Sequence, residues 1–345
     1  NLNCDKCDKW YSSQKKNMWI LPTLGASYVA TSILFTKYPN LLPAIVKDRK
    51  NWKVKKSLPK NVHISHRGGA GECYENTMMA FKKATDLAKT QMLEIDVHIT
   101  KDGVVVVSHD QNLFRVTGKD VKIKETNFDE LPKLKHEIPI EFTFGRTFAS
   151  DDKSPDHISV PKLEDVFEAF PDMCINIDIK TYDESLIDEV NKLVTKYGRE
   201  NRTVWGNFSD KTTDKCYATN PQIGLLFSVK RVLILLMYFY TGLLPYITLK
   251  ETHLEIPMPL LAYKKYGPEI TKTQKTLATL SNALLMRKTL FDHLSQRGIQ
   301  TYVWVLNEEE DFDKAFKLNV TGVMTDYPSL LTDYLQRNPQ FAQAK

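Results

Sequence analysis

The chain has 345 residues, 42% hydrophobic and 26% charged, and its 47 Lys+Arg against 42 Asp+Glu leave a net charge of +5. This composition excludes a mostly disordered chain, a collagen-like chain and a multi-span transporter, and the small charge excess argues against a nucleic-acid partner. The cysteines Cys4, Cys7, Cys73, Cys174 and Cys216 are odd in number and scattered, which reads as a reduced protein without a disulfide framework.

Residues 1–16 form a polar tail with no pattern, and Cys4 and Cys7 have CxxC spacing without a second pair. Asn17 to Thr36 carries no charge over 20 residues, and Lys16 and Lys37 flank it. That is the length a helix needs to cross a bilayer, so 17–37 is expected to be a membrane anchor. A signal peptide or a buried core helix is the alternative reading. Residues 38–60 make a basic linker: from Lys37 to Lys60 there are eight Lys/Arg and one acid, Asp48. The positive-inside rule then predicts a cytosolic catalytic domain.

From Val62 onward, short apolar runs alternate with helical patterns. The runs are Val62–His66, Met92–Ile99, Val104–Ser108, Cys174–Ile179, Thr203–Trp205, Ile223–Phe227, Leu254–Met258, Thr301–Leu306 and Gly322–Thr325. This predicts an α/β fold, a (β/α)8 TIM barrel over 61–335, followed by a tail at 336–345. A doubly wound sheet is the competitor, but Gly68, Gly69 and Gly71 lack G-x-G-x-x-G spacing. An apolar insert at 229–252 interrupts the pattern, with no charge from Val232 to Leu249. A full crossing there would split a closed barrel between two compartments. Gly242 and Pro245 divide the run, so a helical hairpin dipping into one leaflet is expected.

The chemistry concentrates between His63 and Asp110. In Leu93-Glu94-Ile95-Asp96-Val97-His98 the two-residue strand period puts the apolar residues on one face and Glu94, Asp96 and His98 on the other. Asn176, Asp178 and Lys180 alternate with isoleucines in the same way. Glu94, Asp96 and Asp178 make a hard-oxygen set for one divalent cation, Mg or Ca, and no zinc-type ligand set is present. The plainer alternative is that these acids only pair with Lys180 and Arg67. His66 and His109 end strands, and a histidine pair beside a cation and Arg67 suits phosphodiester cleavage. His63, His98, His136, His157, His253 and His293 have no comparable setting and are read as structural. Asn76 or Thr77 can cap the helix after the first strand.

These segments resemble the glycerophosphodiester phosphodiesterase family. The likeness is carried by His66-Arg67-Gly68, Glu75-Asn76-Thr77, Glu94-Ile95-Asp96, Asp102-Gly103 and His109-Asp110, then by Asn176-Ile177-Asp178-Ile179-Lys180, Val303-Trp304-Val305-Leu306-Asn307 and Gly322-Val323-Met324-Thr325-Asp326-Tyr327-Pro328. It covers roughly 61–335. The segment from Met18, Gly68-Gly69-Ala70-Gly71-Glu72, Thr241-Gly242-Leu243-Leu244-Pro245 and Leu285-Met286-Arg287-Lys288 resemble its membrane-anchored lysophospholipase D branch.

The resemblance implies a metal-dependent TIM-barrel hydrolase with His66 and His109 as the acid/base pair. It implies Glu94, Asp96 and Asp178 on the metal, Arg67 and Lys180 on substrate phosphate, and Glu75, Asn76 and Trp304 lining the site. Much of the family has Glu where this chain has Asp178. The substrate implied is a lysophospholipid or N-acyl lysophospholipid at a bilayer, in the endoplasmic reticulum, with no protein partner. Soluble glycerophosphodiesters are the runner-up, a phosphatidylinositol-type phospholipase C is less favoured, and a catalytically dead lipid-binding scaffold is the non-enzymatic alternative.

Overall fold

A computed structural model of the chain describes residues 20–42, 58–141, 143, 145–261 and 271–342. The polar tail with Cys4 and Cys7, the first residues of the anchor, most of the basic linker and the end of the C-terminal tail lie outside the described residues.

Two-residue alternation builds the ring. Its strands are β1 (His63–Ser65), β2 (Met92–Ile99), β3 (Cys174–Ile179), β4 (Thr203–Gly206), β5 (Gly224–Leu225), β6 (His253–Pro257), β7 (Gln300–Trp304) and β8 (Gly322–Thr325). They pair in parallel in the order β5-β4-β3-β2-β1-β8-β7-β6. A single parallel bridge between Leu226 and His253 joins the two ends, so the predicted eight-stranded barrel is nearly closed. Leu93, Ile95 and Val97 of β2 and Ile175, Ile177 and Ile179 of β3 pack outward against Phe81, Leu186 and Val190 of the surrounding helices. Inside, Met92, Cys174, Val204, Tyr302 and Met324 fill the floor. The next inward positions on β2 and β3 are Glu94 and Asn176, so the barrel turns polar toward its C-terminal mouth.

Val105–Val107, expected among the alternating strands, is not a ring strand. It runs antiparallel to β2, because the turn through Asp102-Gly103 is too short for a parallel crossover. Thr77, not Asn76, caps helix Met78–Asp86, with its hydroxyl accepting from the Ala80 N–H at 3.2 Å.

The anchor segment forms helix Ile20–Lys37, and no helix among the described residues is long and apolar enough to cross a membrane. Pro22, Gly25 and the interspersed Ser/Thr dilute its apolar character. It lies against the insert: Tyr28 donates to the Thr241 carbonyl at 2.6 Å, Tyr246 to the Thr31 hydroxyl at 3.0 Å, and Phe35 meets the Tyr246 ring edge-on. The insert is not the helical hairpin expected. One helix, Val229–Tyr240, is followed by a single 3-10 turn, Leu244–Tyr246. Pro245 holds the second position of that turn, and too few residues remain before β6 for a second helical arm. The buried Arg297 donates to the carbonyls of Leu244 at 3.1 Å and Ile247 at 2.6 Å, which satisfies this irregular backbone from inside. Arg231 pairs with the buried Glu251 at 2.6 Å, clamping the two ends of the insert. Leu235 is buried on one face of its helix, while Leu233, Met237 and Tyr240 stay exposed on another.

Candidate active site

The register of β2 against β3 sets Glu94 beside Asn176 and Asp96 beside Asp178. Asp96 is the most engaged of these acids. Its carboxylate accepts from Asn76 Nδ2 at 2.8 Å and faces Arg67 Nε at 3.3 Å and Lys180 Nζ at 2.8 Å. Burial would raise its pKa, but Lys180 and Arg67 override burial and hold it far below the usual carboxylate range. Arg67 and Asn76 both have left-handed backbones, with φ of 51° and 56°. Two strained residues thus aim their side chains at one carboxylate.

His66 follows β1 in a turn that continues through Gly68 and Gly69, both at positive φ. A Cβ at Gly68 would lie 2.7 Å from the Phe81 ring, so only glycine lets the turn sit on helix Met78–Asp86. The turn buries His66, whose Nδ1 lies 2.6 Å from Asp326 Oδ1 and whose Nε2 lies 4.0 Å from Glu94 Oε2. Asn307 Nδ2 donates to the other Asp326 oxygen at 2.8 Å. The Arg67 N–H donates to Glu94 Oε2 at 3.0 Å.

His109 lies two residues past the hairpin strand and is partly exposed. Its Nδ1 is 2.8 Å from Asp110 Oδ1 and 3.5 Å from Glu141 Oε2. Arg115 ties this group to the next, pairing with Asp110 and with Glu75 at 2.6 Å each. Burial works against ionisation of Asp110, but the His109 hydrogen bond and Arg115 bring its pKa down to about 2. Glu75 also pairs with Arg67 at 3.1 Å, and Arg67 reaches Glu141 at 2.8 Å. Trp304, half-buried at the end of β7, packs against the exposed Phe208 with ring centroids 5.9 Å apart.

His66, Arg67, Glu75, Asn76, Glu94, Asp96, Asp178 and Lys180 share one network of close polar contacts, His109 reaches it through Glu141, and Trp304 touches Phe208 instead. Lys180 Nζ sits between Asp96 and Asp178, at 2.8 and 2.7 Å, so two of the three acids make the ion pairs that the plainer alternative expected. Among the described residues, the His, Cys, Asp and Glu ligand atoms that all lie within 4.8 Å of one another belong to His109, Asp110 and Glu141. The chemistry of the inner acids still fits a hard cation. The Glu94 carboxyl is pushed well above its usual range by burial and by repulsion from Asp96 and Glu255. Burial and the nearby Asp178 likewise raise Glu255 to about 7, against the Asn176 hydrogen bond. Four carboxyl groups, Glu94, Asp96, Asp178 and Glu255, thus crowd around Lys180 and Arg67, and their oxygens suit a hard cation.

Asp326, Asn307, Asp110, Arg115, Glu141, Asn207 and Glu255 belong to this network and had no assigned role from the sequence. Asp326 was within reach of reasoning, since closure of the ring places β8 beside β1, with Ser65 opposite Thr325.

A model of the glycerophosphoryl diester phosphodiesterase family matches residues 66–330. Human lysophospholipase D GDPD1 is 49% identical over 318 residues, 92% of this chain and 96% of that protein. Human lysophospholipase D GDPD3 is 36% identical over 322 residues, 93% of this chain and 96% of that protein. Among solved structures, a glycerophosphoryl diester phosphodiesterase domain from Mycobacterium tuberculosis shares the fold with a TM-score of 0.58 at 17% identity, covering 79% of this chain and 99% of that one. With the barrel, the acidic mouth and its two aspartate-held histidines in view, the chain belongs to the glycerophosphoryl diester phosphodiesterase family.

Proposed function

We propose that the protein is a metal-dependent phosphodiester hydrolase acting as a lysophospholipase D, which releases lysophosphatidate and a head-group alcohol or N-acylethanolamine. The observation that carries this is the His66–Asp326 pair, 2.6 Å apart and facing Glu94, in a chain 49% identical to a protein of that name.

In this reading Glu94, Asp96 and Asp178 hold one Mg or Ca, which when bound supplies positive charge toward the phosphoryl oxygens. Asp326 accepts the His66 Nδ1–H and leaves Nε2 as the proton-transfer atom. Asp110 does the same for His109. The free glycerol hydroxyl of a lysophospholipid attacks phosphorus within its own molecule, a step favoured by proximity. One histidine takes the hydroxyl proton, and the other delivers a proton to the departing head-group oxygen. The cyclic phosphate then opens with water or is released. Arg67 and Lys180 are the cations available to the phosphate, Glu75 and Asn76 brace Arg67 and Asp96, and Trp304 with Phe208 borders the entrance.

Helix Ile20–Lys37 and the apolar face of the insert favour a lipid substrate taken from a bilayer. We place the protein at the endoplasmic reticulum membrane, with 17–37 as anchor, 38–60 as basic linker and the barrel over 61–335 on the cytosolic side. Soluble glycerophosphodiesters are the second reading, favoured by the description of the matching family.

The test is head-group release from lysophosphatidylcholine, its N-acylethanolamine analogue and glycerophosphocholine, with Mg, with Ca and with chelator. Release from the lipids that stops on chelation is the expected result. Turnover of glycerophosphocholine alone selects the second reading, and no turnover of any substrate selects a lipid-binding scaffold.

A further inference from the structure

Glu255 sits on β6, on the opposite side of the ring from β2, and neither the histidine chemistry nor the ion pairs of the mouth use it. Its carboxylate accepts from Asn176 Nδ2, and Asn176 is the register neighbour of Glu94. Through Asn176, Glu255 reaches the level of the barrel at which Glu94 projects inward. Asn176 is 1% exposed, yet its Oδ1 has no hydrogen-bond partner, so a second hard oxygen is left unsatisfied at the same spot. An unsatisfied buried carbonyl oxygen beside a buried carboxylate calls for a positive partner.

The third acid of the expected cation set is Asp178, one methylene shorter than glutamate. Asn207 Nδ2 holds one Asp178 oxygen at 3.0 Å, and Lys180 takes the other. Asp178 is therefore turned to its neighbours, while Glu255 brings a longer arm from across the ring. We propose that Glu255, held by Asn176, is a further carboxylate of the cation site and supplies the reach that Asp178 lacks. This rests on the reading of Glu94, Asp96 and Asp178 as cation-binding.

The test is calorimetric binding of Mn²⁺ to the full chain in detergent, with no substrate present. Glu255→Gln is expected to weaken Mn²⁺ binding by about tenfold or more. Glu255→Gln combined with Asp178→Glu is expected to recover most of the loss. Asn176→Leu keeps the carboxylate but removes its holder, and should weaken binding in the same direction. It decides the matter if Glu255→Gln does not fold. Asp96→Asn is the control that abolishes binding. Wild-type affinity in Glu255→Gln, with binding lost in Asp96→Asn, overturns this inference alone. A wild-type chain that binds no Mn²⁺ overturns the cation site itself and this inference with it.

Discussion

His66 and Asp326 stand 260 residues apart in the chain and 2.6 Å apart in space, Nδ1 to Oδ1. Closure of the ring between β1 and β8 makes them neighbours. Asp326 is fully buried and takes a second hydrogen bond from Asn307, so it has little freedom to do anything except orient the imidazole. His66→Ala and His109→Ala should each reduce kcat by about 10²–10⁴-fold, and His66→Ala should also lower Tm because it strands the buried Asp326. Asp326→Asn should also lower kcat, because the amide no longer demands a proton on Nδ1. Steady-state rates with a melting control decide this, and near-normal turnover in any variant removes that residue from the proton path.

Arg115 carries the weight between the two halves of the mouth. It bridges Glu75 and Asp110, and Glu75 is buried against Arg67. Arg115→Ala leaves Glu75 and Asp110 without that partner, and should cost about 3 kcal/mol of stability. Urea unfolding measures it, and a loss below about 1 kcal/mol would mean that Arg67 alone satisfies Glu75.

Gly68 tests the turn that delivers His66. Its φ is +79°, and an added Cβ would press on both Phe81 and Ala80. Gly68→Ala should destabilise the fold by about 2 kcal/mol or more and displace His66, lowering Tm and kcat together. A variant with unchanged Tm would show that helix Met78–Asp86 can back away.

The insert makes a substrate-dependent prediction. Leu233 is 63% and Met237 51% exposed, on a helix whose buried side holds Leu235. Leu233→Glu with Met237→Glu should raise the apparent KM for lysophosphatidylcholine in vesicles at least several-fold, while leaving kcat/KM for glycerophosphocholine unchanged. Equal losses on both substrates would mean that the helix serves the barrel and not the bilayer.

His253 gives a pH signature away from the mouth. It is fully buried, and burial lowers its pKa to about 3. The unfolded chain takes up a proton near pH 6.5 that the native protein refuses. Stability is therefore fully present above about pH 6.5 and falls as pH drops toward 3. Relative to His253→Leu, the wild type should lose on the order of 2–3 kcal/mol between pH 7 and pH 4.5. A difference that stays flat with pH would place the imidazole in contact with water.

What could be read from the sequence follows from the range of the signals. β2 and β3 matched their expected limits because alternation is local: Leu93, Ile95 and Val97 face out whatever the rest of the chain does. Thr77 and Asn76 were separable only in space, where the strained Asn76 turns to Asp96 and leaves the cap to Thr77. Asp326 and Glu255 needed the order of strands around the ring, which no window of sequence contains. The insert misled because an uncharged run reports burial or contact with apolar surroundings, not the shape of the backbone, and the helical arm stops at Tyr240, where Gly242 turns left-handed.

The contact between helix Ile20–Lys37 and the insert has a mechanical meaning. Tyr28 grips Thr241, Tyr246 grips Thr31, and Gly242 passes so close to Ser32 that a Cβ there would come within 3.0 Å of it. The amino-terminal helix is therefore a bracket rather than a leash. Under the function proposed above, a surface that received this helix would also set the tilt and height of the barrel mouth, and with them which head groups come within reach of His66.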